Sequence, residues 1–365
     1  MTNPFHYEGF ALEKQFYGRD SELERIQKLV DYSNNLLLYS KRRMGKSSLI
    51  KELMHRNSEQ CYTIYCDIFD IASKEEFASI LLKSLAKMHR GDLKTIVSNL
   101  KKYFKRITFG ISVDPNTAEI SYTPRLEGLN FDEMIEEFFE GLFLLSQEKK
   151  IIFAIDEFQQ IALLDTKIDA LLRKYMQEPH DITYIFAGSK RHSLTSLFTY
   201  SAPLYEMATH MELGGLESES VLGYASKYLS INDAMVDYLV ALCDHETKLM
   251  QHILHILYSN KRDESITSAM IDNALEEILG DKSSSYTLLY DTFSITQKKG
   301  FKIITASVEN IFSLDTLKAY NIQKASLASA LKQLYSKEII DKEEEDRWFV
   351  PDRTLELWGK RMLNR

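Results

Sequence analysis

The sequence predicts an α/β fold: a parallel sheet first, then a helical lid, then a C-terminal winged helix. Three observations predict it. Leu36–Ile50 passes from an apolar run through a polar loop into a helical periodicity. Apolar strand-like runs then alternate with amphipathic segments as far as residue 216, the rhythm of βαβ units. Past that point the pattern is helical, and it closes on helix, turn, helix and two short strands. The expected domains are 1–216, 217–285 and 286–365, with an insertion at about 91–130 in the first.

In the first of these stretches, Leu36 to Tyr39 reads as a short buried strand and Ser47 to His55 as a helix. The loop between them nearly fits G-x-x-x-x-G-K-[ST], with Ser40 in place of the first glycine. Serine makes that turn where φ stays negative. Gly45 lets the backbone aim N–H groups at an anion, Lys46 neutralises β- and γ-phosphates, and the Ser47 hydroxyl holds Mg²⁺. The helix adds the positive end of its dipole. The candidate nucleotide contacts here are Ser40, Arg42, Arg43, Met44, Gly45, Lys46, Ser47 and Ser48.

Upstream, Phe16-Tyr-Gly-Arg-Asp-Ser-Glu-Leu23 leads into a helix running to about Tyr32, capped by Asp20 or Ser21. Gly18 and Arg19 sit at its entrance and are candidate nucleotide contacts; an ordinary capped helix after a turn is the plainer reading. Downstream, Cys61 to Ile68 reads as a strand and Lys74 to Met88 as a helix. A basic helix, Asp92 to Arg106, precedes alternation at Ile107, Phe109, Ile111 and Val113. Asp114-Pro-Asn-Thr117 turns the chain, and Ile120 and Tyr122 alternate back, a hairpin signature.

After a helix from Phe131 to Gln147, the apolar strand within Lys150–Phe158 ends in Asp156-Glu157. An Asp at such a strand end is a Mg²⁺ ligand, and an adjacent Glu can act as general base toward water. Alone, the pair reads more readily as a helix cap; joined to Lys46 it reads as the second half of a nucleotide site. Asp181–Ser189 is a further buried strand, and Ser189 could touch the γ-phosphate or form only a turn. Lys190-Arg-His192 is a basic cluster beside it, and Met211-Glu-Leu213 holds the last core strand.

Four helices are expected over roughly Ser218–Leu229, Asn232–Cys243, Glu246–Ser259 and Thr267–Leu279. Three more follow, Lys298 to Ala306, Leu314 to Tyr320 capped by Ser313, and Lys324 to Ser336. Strands Ile339–Asp341 and Trp348–Val350 form the wing. Its loop, Asp341-Lys-Glu-Glu-Glu-Asp346, is acidic and repels phosphate, which weighs against DNA binding by this module.

Bulk composition narrows the class. The 365 residues carry a net charge of −8, which argues against wholesale non-specific nucleic-acid binding. Cys61, Cys66 and Cys243 form no C-x-x-C pair and read as small buried hydrophobes in a reducing compartment. No signal-peptide pattern opens the sequence and no apolar run reaches about 18 residues, so the chain reads as cytoplasmic.

In this order the pieces resemble the archaeal-type ATPases, a branch of the STAND class of P-loop proteins close to AAA+ ATPases. The resemblance covers nearly the whole chain. It rests on Phe16-Tyr-Gly-Arg-Asp-Ser-Glu22, the double arginine Arg42-Arg43 before Gly45-Lys46-Ser47, Asp156-Glu157, Gly188-Ser189, the inserted hairpin and the winged helix. It implies ATP and ADP as ligands, Mg²⁺ as cofactor, Ser47 and Asp156 as metal ligands, and Lys46, Glu157 and Ser189 in catalysis. It also implies that the winged helix responds to nucleotide state. Two departures stand out: Pro203-Leu-Tyr205 runs on to Glu206-Met207 without the family's arginine, and His245-Glu-Thr247 replaces G-x-P. They imply slow turnover, with Arg191 a weak candidate for an arginine acting in trans. The expected function is a slowly hydrolysing ATP switch. A nucleotide-controlled DNA-binding regulator and a non-hydrolysing scaffold are the alternatives. A protein partner would dock through the lid or winged helix, and the oligomeric state is open.

Overall fold

The structure is a computed structural model and describes residues 3–87, 102–113, 120–126, 128–164, 167–189, 191–260, 264–342 and 347–363. Most of the basic helix at 92–106, the turn at 114–117, Lys190 and the wing loop at 343–346 lie outside the described residues. The chain forms two compact units, one of Phe10–Lys41 and Gly45–Gly214, the other of Met1–Gly9, Arg42–Met44 and Gly215–Arg365.

In the first unit, α1 (Asp20–Asp31) precedes β1 (Leu36–Tyr39), α2 (Lys46–Arg56), β2 (Tyr62–Asp67) and α3 (Lys74–Lys87). The hairpin β3 (Thr108–Val113) and β4 (Ile120–Arg125) comes next. Then follow α4 (Phe131–Ser146), β5 (Ile151–Asp156), α5 (Ile168–Met176), β6 (Ile182–Gly188), α6 (Arg191–Ser196) and β7 (Thr209–Glu212). Five strands form one parallel sheet in the order β2-β5-β6-β1-β7, and β3 and β4 pair antiparallel as a separate hairpin.

Alternation along the strands sends side chains to both faces of this sheet. Leu37, Phe153, Ile155, Tyr184 and Phe186 join the core that includes residues of α3, α4 and α5. Leu36, Leu38, Ile152, Ala154, Ile185 and Ala187 join the core that includes residues of α1 and α2. Burial on both faces explains why these strands read as continuous apolar runs.

Local chemistry sets most element ends. Asn130 and Glu133 form a reciprocal capping box at the start of α4, satisfying two otherwise unpaired N–H groups. Within α4, buried Glu137 accepts from the backbone N–H groups of Lys105 and Arg106, at 2.9 and 3.1 Å. That fastens the segment leading into the hairpin. The start of α1 departs from expectation: Arg19 is its cap residue, with no side-chain capping bond. Ser21 instead donates to Glu22 at 2.8 Å, so its hydroxyl is spent on a side chain.

The second unit is mainly helical: α7 (Ser218–Ala225), α8 (Asp233–Leu242), α9 (Thr247–Ser259), α10 (Ser268–Asp291), α11 (Ile295–Thr305), α12 (Leu314–Ala319) and α13 (Lys324–Ser336). A small ladder of β8 (Asp341–Lys342) and β9 (Trp348–Phe349) leads to α14 (Arg353–Leu363). The sequence reading stops the fourth of these helices near Leu279, whereas α10 runs on to Asp291. Gly280 weakens a helix by about 1 kcal/mol without ending it, and packing carries the rest. Tyr286 and Tyr290 set their rings 5.8 and 6.1 Å from Trp358 of α14, a helix absent from the sequence reading. α14 lies close on α11: a Cβ at Gly359 would stand 2.8 Å from the Thr305 methyl, so only glycine fits without a shift. Cys61, Cys66 and Cys243 are buried and unbridged. Among the described residues no helix is long and apolar enough to cross a membrane.

Candidate nucleotide site

β6 lies between β1 and β5, with Tyr39 level with Gly188 and Ile155 level with Phe186. The sheet therefore sets the ends of β1, β6 and β5 side by side at its C-terminal edge, where ligands of open parallel sheets bind. The loop after β1, Asp156-Glu157 after β5 and Ser189 after β6 all leave from that edge.

Gly45 is left-handed (φ 91) and caps α2 at its N-terminus. Among the described residues nothing stands within 4 Å of where its Cβ would be, so glycine is required by conformation and not by space. The other left-handed residue of the loop is Arg43 (φ 63); Ser40 is not among the positive-φ residues. That explains why serine is tolerated there. Ser40 is buried, and its hydroxyl donates to the Lys41 carbonyl at 2.7 Å. Lys46 begins α2 and is 6% exposed. Ser48, one residue past Ser47, accepts from the Ala11 N–H at 3.2 Å.

The two halves meet at Ser47 and Asp156. Ser47 Oγ donates to Asp156 Oδ2 at 2.5 Å, although the residues are far apart in sequence. Tyr65 on β2 donates its hydroxyl to the same oxygen at 2.7 Å, and the Glu157 N–H donates to Oδ1 at 3.0 Å. Burial first, then the Asp156 carboxylate, pushes the Tyr65 phenol far above its ordinary pKa, so it remains a donor. The Lys51 ammonium lies 3.5 Å from the Tyr65 ring centroid, a cation–π contact, and its own pKa is lowered by burial.

Glu157 is left-handed (φ 56, ψ 36), a strained setting for a residue with a Cβ. Its Oε2 accepts from Gln159 Nε2 at 2.5 Å and from Ser189 Oγ at 3.5 Å. Candidate base, candidate metal ligands and Ser189 thus share one hydrogen-bonded group. Lys190 lies outside the described residues, and Arg191 and His192 begin α6.

Other sequence candidates are placed differently. Gly18 is left-handed (φ 69). Arg19 donates to Glu22 and to the Gly214 carbonyl, both at 2.7 Å. Burial works against the Glu22 charge, but the hydrogen bonds from Arg19 and Ser21 outweigh it and lower its pKa. These contacts are those of a fastener for α1.

Arg42, Arg43 and Met44 belong to the second unit. There Arg42 pairs with Glu338, while Arg43 pairs with Asp352 at 2.7 Å and with Glu246 at 3.6 Å. The Arg43 carbonyl accepts from the Lys248 N–H at 3.2 Å, and the Met44 carbonyl from Thr247 Oγ1 at 3.4 Å. Burial raises the Glu246 pKa to about 7 despite Arg43. Asp352 is also desolvated, but the Arg43 guanidinium outweighs burial and holds it below the usual range.

Tyr65 and Gln159 were missed in the sequence. Tyr65 reads as one more strand aromatic, although it falls on the same strand face as Asp67 of β2. Gln159 could have been found from its position two residues after Glu157.

Sheet order and loop together define a P-loop NTPase fold. The family described as "ATPase domain predominantly from Archaea" matches residues 16–228, more than half of the sequence, and the chain belongs to it. No curated protein matches by sequence. Among solved structures, the Walker-type ATPase PABY2304 of Pyrococcus abyssi is similar at a TM-score of 0.66 and 16% identity, covering 98% of this chain and 99% of that one. Cdc6p from Pyrobaculum aerophilum is similar at a TM-score of 0.50 and 14% identity, covering 99% and 97%. At these identities the likeness concerns the fold.

Proposed function

We propose that this chain binds ATP with Mg²⁺ through Gly45-Lys46-Ser47 and Asp156, hydrolyses it slowly with Glu157 as general base, and works as a nucleotide-controlled switch. The observation that carries this reading is the Ser47–Asp156 hydrogen bond, which brings the phosphate-loop helix and the acidic strand together beside Glu157. A hydroxyl and a carboxylate at that spacing are the hard oxygen donors that Mg²⁺ takes, and they fit it. Mg²⁺, when bound, neutralises phosphate charge. Lys46 adds a second positive charge at the phosphates, and the N–H groups at the start of α2 cradle them. Ser47 and Asp156 orient the metal side. Glu157 accepts a proton from water, and Ser189 is a further donor beside it.

The switch reading is supported by the loop itself. Gly45–Ser47 follows Arg42–Met44 directly in the chain, so a change at the first reaches Arg43 and its acidic partners through the main chain. On this reading 1–216 is the ATPase core, 217–285 a lid, and 286–365 a winged helix built on α11 to α13 and the β8–β9 ladder.

The test is Mg²⁺-dependent phosphate release by purified protein. Lys46→Ala should lower turnover at least about 10²-fold, the scale for losing one electrostatic stabiliser. Turnover that survives Lys46→Ala or ignores Mg²⁺ sinks the reading. Duplex DNA binding that depends on ATP would favour the regulator alternative, recognised by its steep fall with salt.

A further inference from the structure

We propose that Gln159 is a positioning residue for Glu157, and that residue 188 is glycine to leave room for it. The proposal rests on the reading of Glu157 as the base and names the group that aims it.

Gln159 is 5% exposed and directs its amide nitrogen at Glu157 Oε2, 2.5 Å away. Chemistry fixes the orientation of the amide, because an amide oxygen facing a carboxylate would repel it. The other end is unusual. Gln159 Oε1 is buried and has no hydrogen-bond partner among the described residues. A buried acceptor without a partner is costly, and such groups persist where something else requires the side chain. Here the amide N–H on Glu157 supplies that requirement.

The end of β6 is shaped around the same side chain. A Cβ on Gly188 would stand 2.1 Å from Gln159 Oε1 and 3.1 Å from Leu194 Cδ2. Gly188 is not among the positive-φ glycines, so glycine here serves space and not conformation. Ser189, the next residue, donates to the same Glu157 oxygen, at the weaker distance of 3.5 Å. Glu157 has three side-chain torsions and a left-handed backbone, and would sample many orientations if unheld. One short charge-assisted hydrogen bond from a packed amide restricts it to one. A base held in the attack geometry contributes through orientation, which lowers the barrier without changing nucleotide affinity.

The experiment measures steady-state Mg²⁺–ATP turnover and binding of a fluorescent ATP analogue for wild type, Gln159→Leu, Gln159→Met, Gly188→Ala, Glu157→Gln and the Glu157→Gln/Gln159→Leu pair. Leu and Met fill similar space without a donor. We expect kcat to fall roughly tenfold in Gln159→Leu and Gln159→Met, with KM and analogue affinity within about twofold of wild type. Gly188→Ala should move the same way. In the Glu157→Gln background, Gln159→Leu should produce no further fall, because its effect passes through the carboxylate. Wild-type kcat in both Gln159 variants, with Glu157→Gln inactive, overturns the proposal. Joint loss of binding and turnover in both assigns Gln159 to core packing and overturns it too. A Glu157→Gln protein with wild-type turnover removes the base reading itself, and this inference with it.

Discussion

Two pairs of buried or half-buried carboxylates can be compared directly, one in each unit. Asp156 and Glu157 are held by uncharged donors: Ser47, Tyr65, a backbone N–H, Gln159 and Ser189. Glu246 and Asp352 converge on the Arg43 guanidinium. Neutral donors orient a carboxylate and leave its charge to be used, as a metal ligand or a base requires. A guanidinium neutralises the charge in place, which suits a fastener. The two pairs look alike in composition and differ in what surrounds them.

The largest effect expected from this contrast is on chemistry. Asp156→Asn keeps most of the shape and removes the charge, and should lower Mg²⁺-dependent turnover about 10²- to 10³-fold. Its urea midpoint should stay near wild type; a large loss of stability instead would place Asp156 with the fasteners. Asp352→Ala should show the reverse pattern in stability. Breaking a buried pair costs about 3–5 kcal/mol, and partial exposure of the Arg43 and Asp352 side chains (33% and 23%) reduces the expectation to about 2 kcal/mol. Denaturant unfolding of the second unit's transition measures it, and an unchanged midpoint would show that the ion pair is ornamental to folding.

The pH dependence should be smaller and opposite in sign at the two fastener acids. The folded protein keeps a proton on Glu246 up to about pH 7, whereas the unfolded chain releases it near 4.5. The folded state therefore binds the extra proton between those values. Burial of the charged Glu246 works against folding fully above about pH 7, and the penalty fades as pH falls toward 4.5. Asp352, held below the ordinary carboxylate value, adds stability that is present above 3.8 and lost only as pH falls further. Glu246→Gln should flatten the 4.5–7 segment of the stability profile, and a profile identical to wild type there refutes the assignment. The smallest effect belongs to Ser40→Gly. Because the loop's left-handed residues are Arg43 and Gly45, restoring glycine should change ATP affinity by less than about threefold, with any loss traced to the Ser40 hydroxyl.

Much of the first unit was legible because its signals are local. Leu36–Tyr39, Ile151–Asp156 and Ile182–Gly188 are apolar runs with abrupt polar ends, and both the loop and Asp156-Glu157 sit at those ends. The capping signal at Ser313 is equally local: its hydroxyl accepts from the Thr316 N–H. The length of α10 and the existence of α14 were not legible, since Tyr286, Tyr290 and Trp358 support one another across a long separation in sequence. The double arginine of the loop was legible as a motif but not as a role. Its partners Glu246, Glu338 and Asp352 are far along the chain and carry no mark that ties them to Arg42 and Arg43.

By itself the sequence determined where the phosphate loop and the acidic strand end lie. Glycine at a left-handed turn, lysine and serine at a helix start, and carboxylates after an apolar strand are choices made within a few residues. Tertiary structure alone decided what each group faces. The order β2-β5-β6-β1-β7 and its register bring Ser47, Tyr65 and Asp156 within hydrogen-bond reach and leave Gln159 under Gly188. Hydrogen bonds act over about 3 Å, a range at which sheet register decides the partner and spacing along the chain does not.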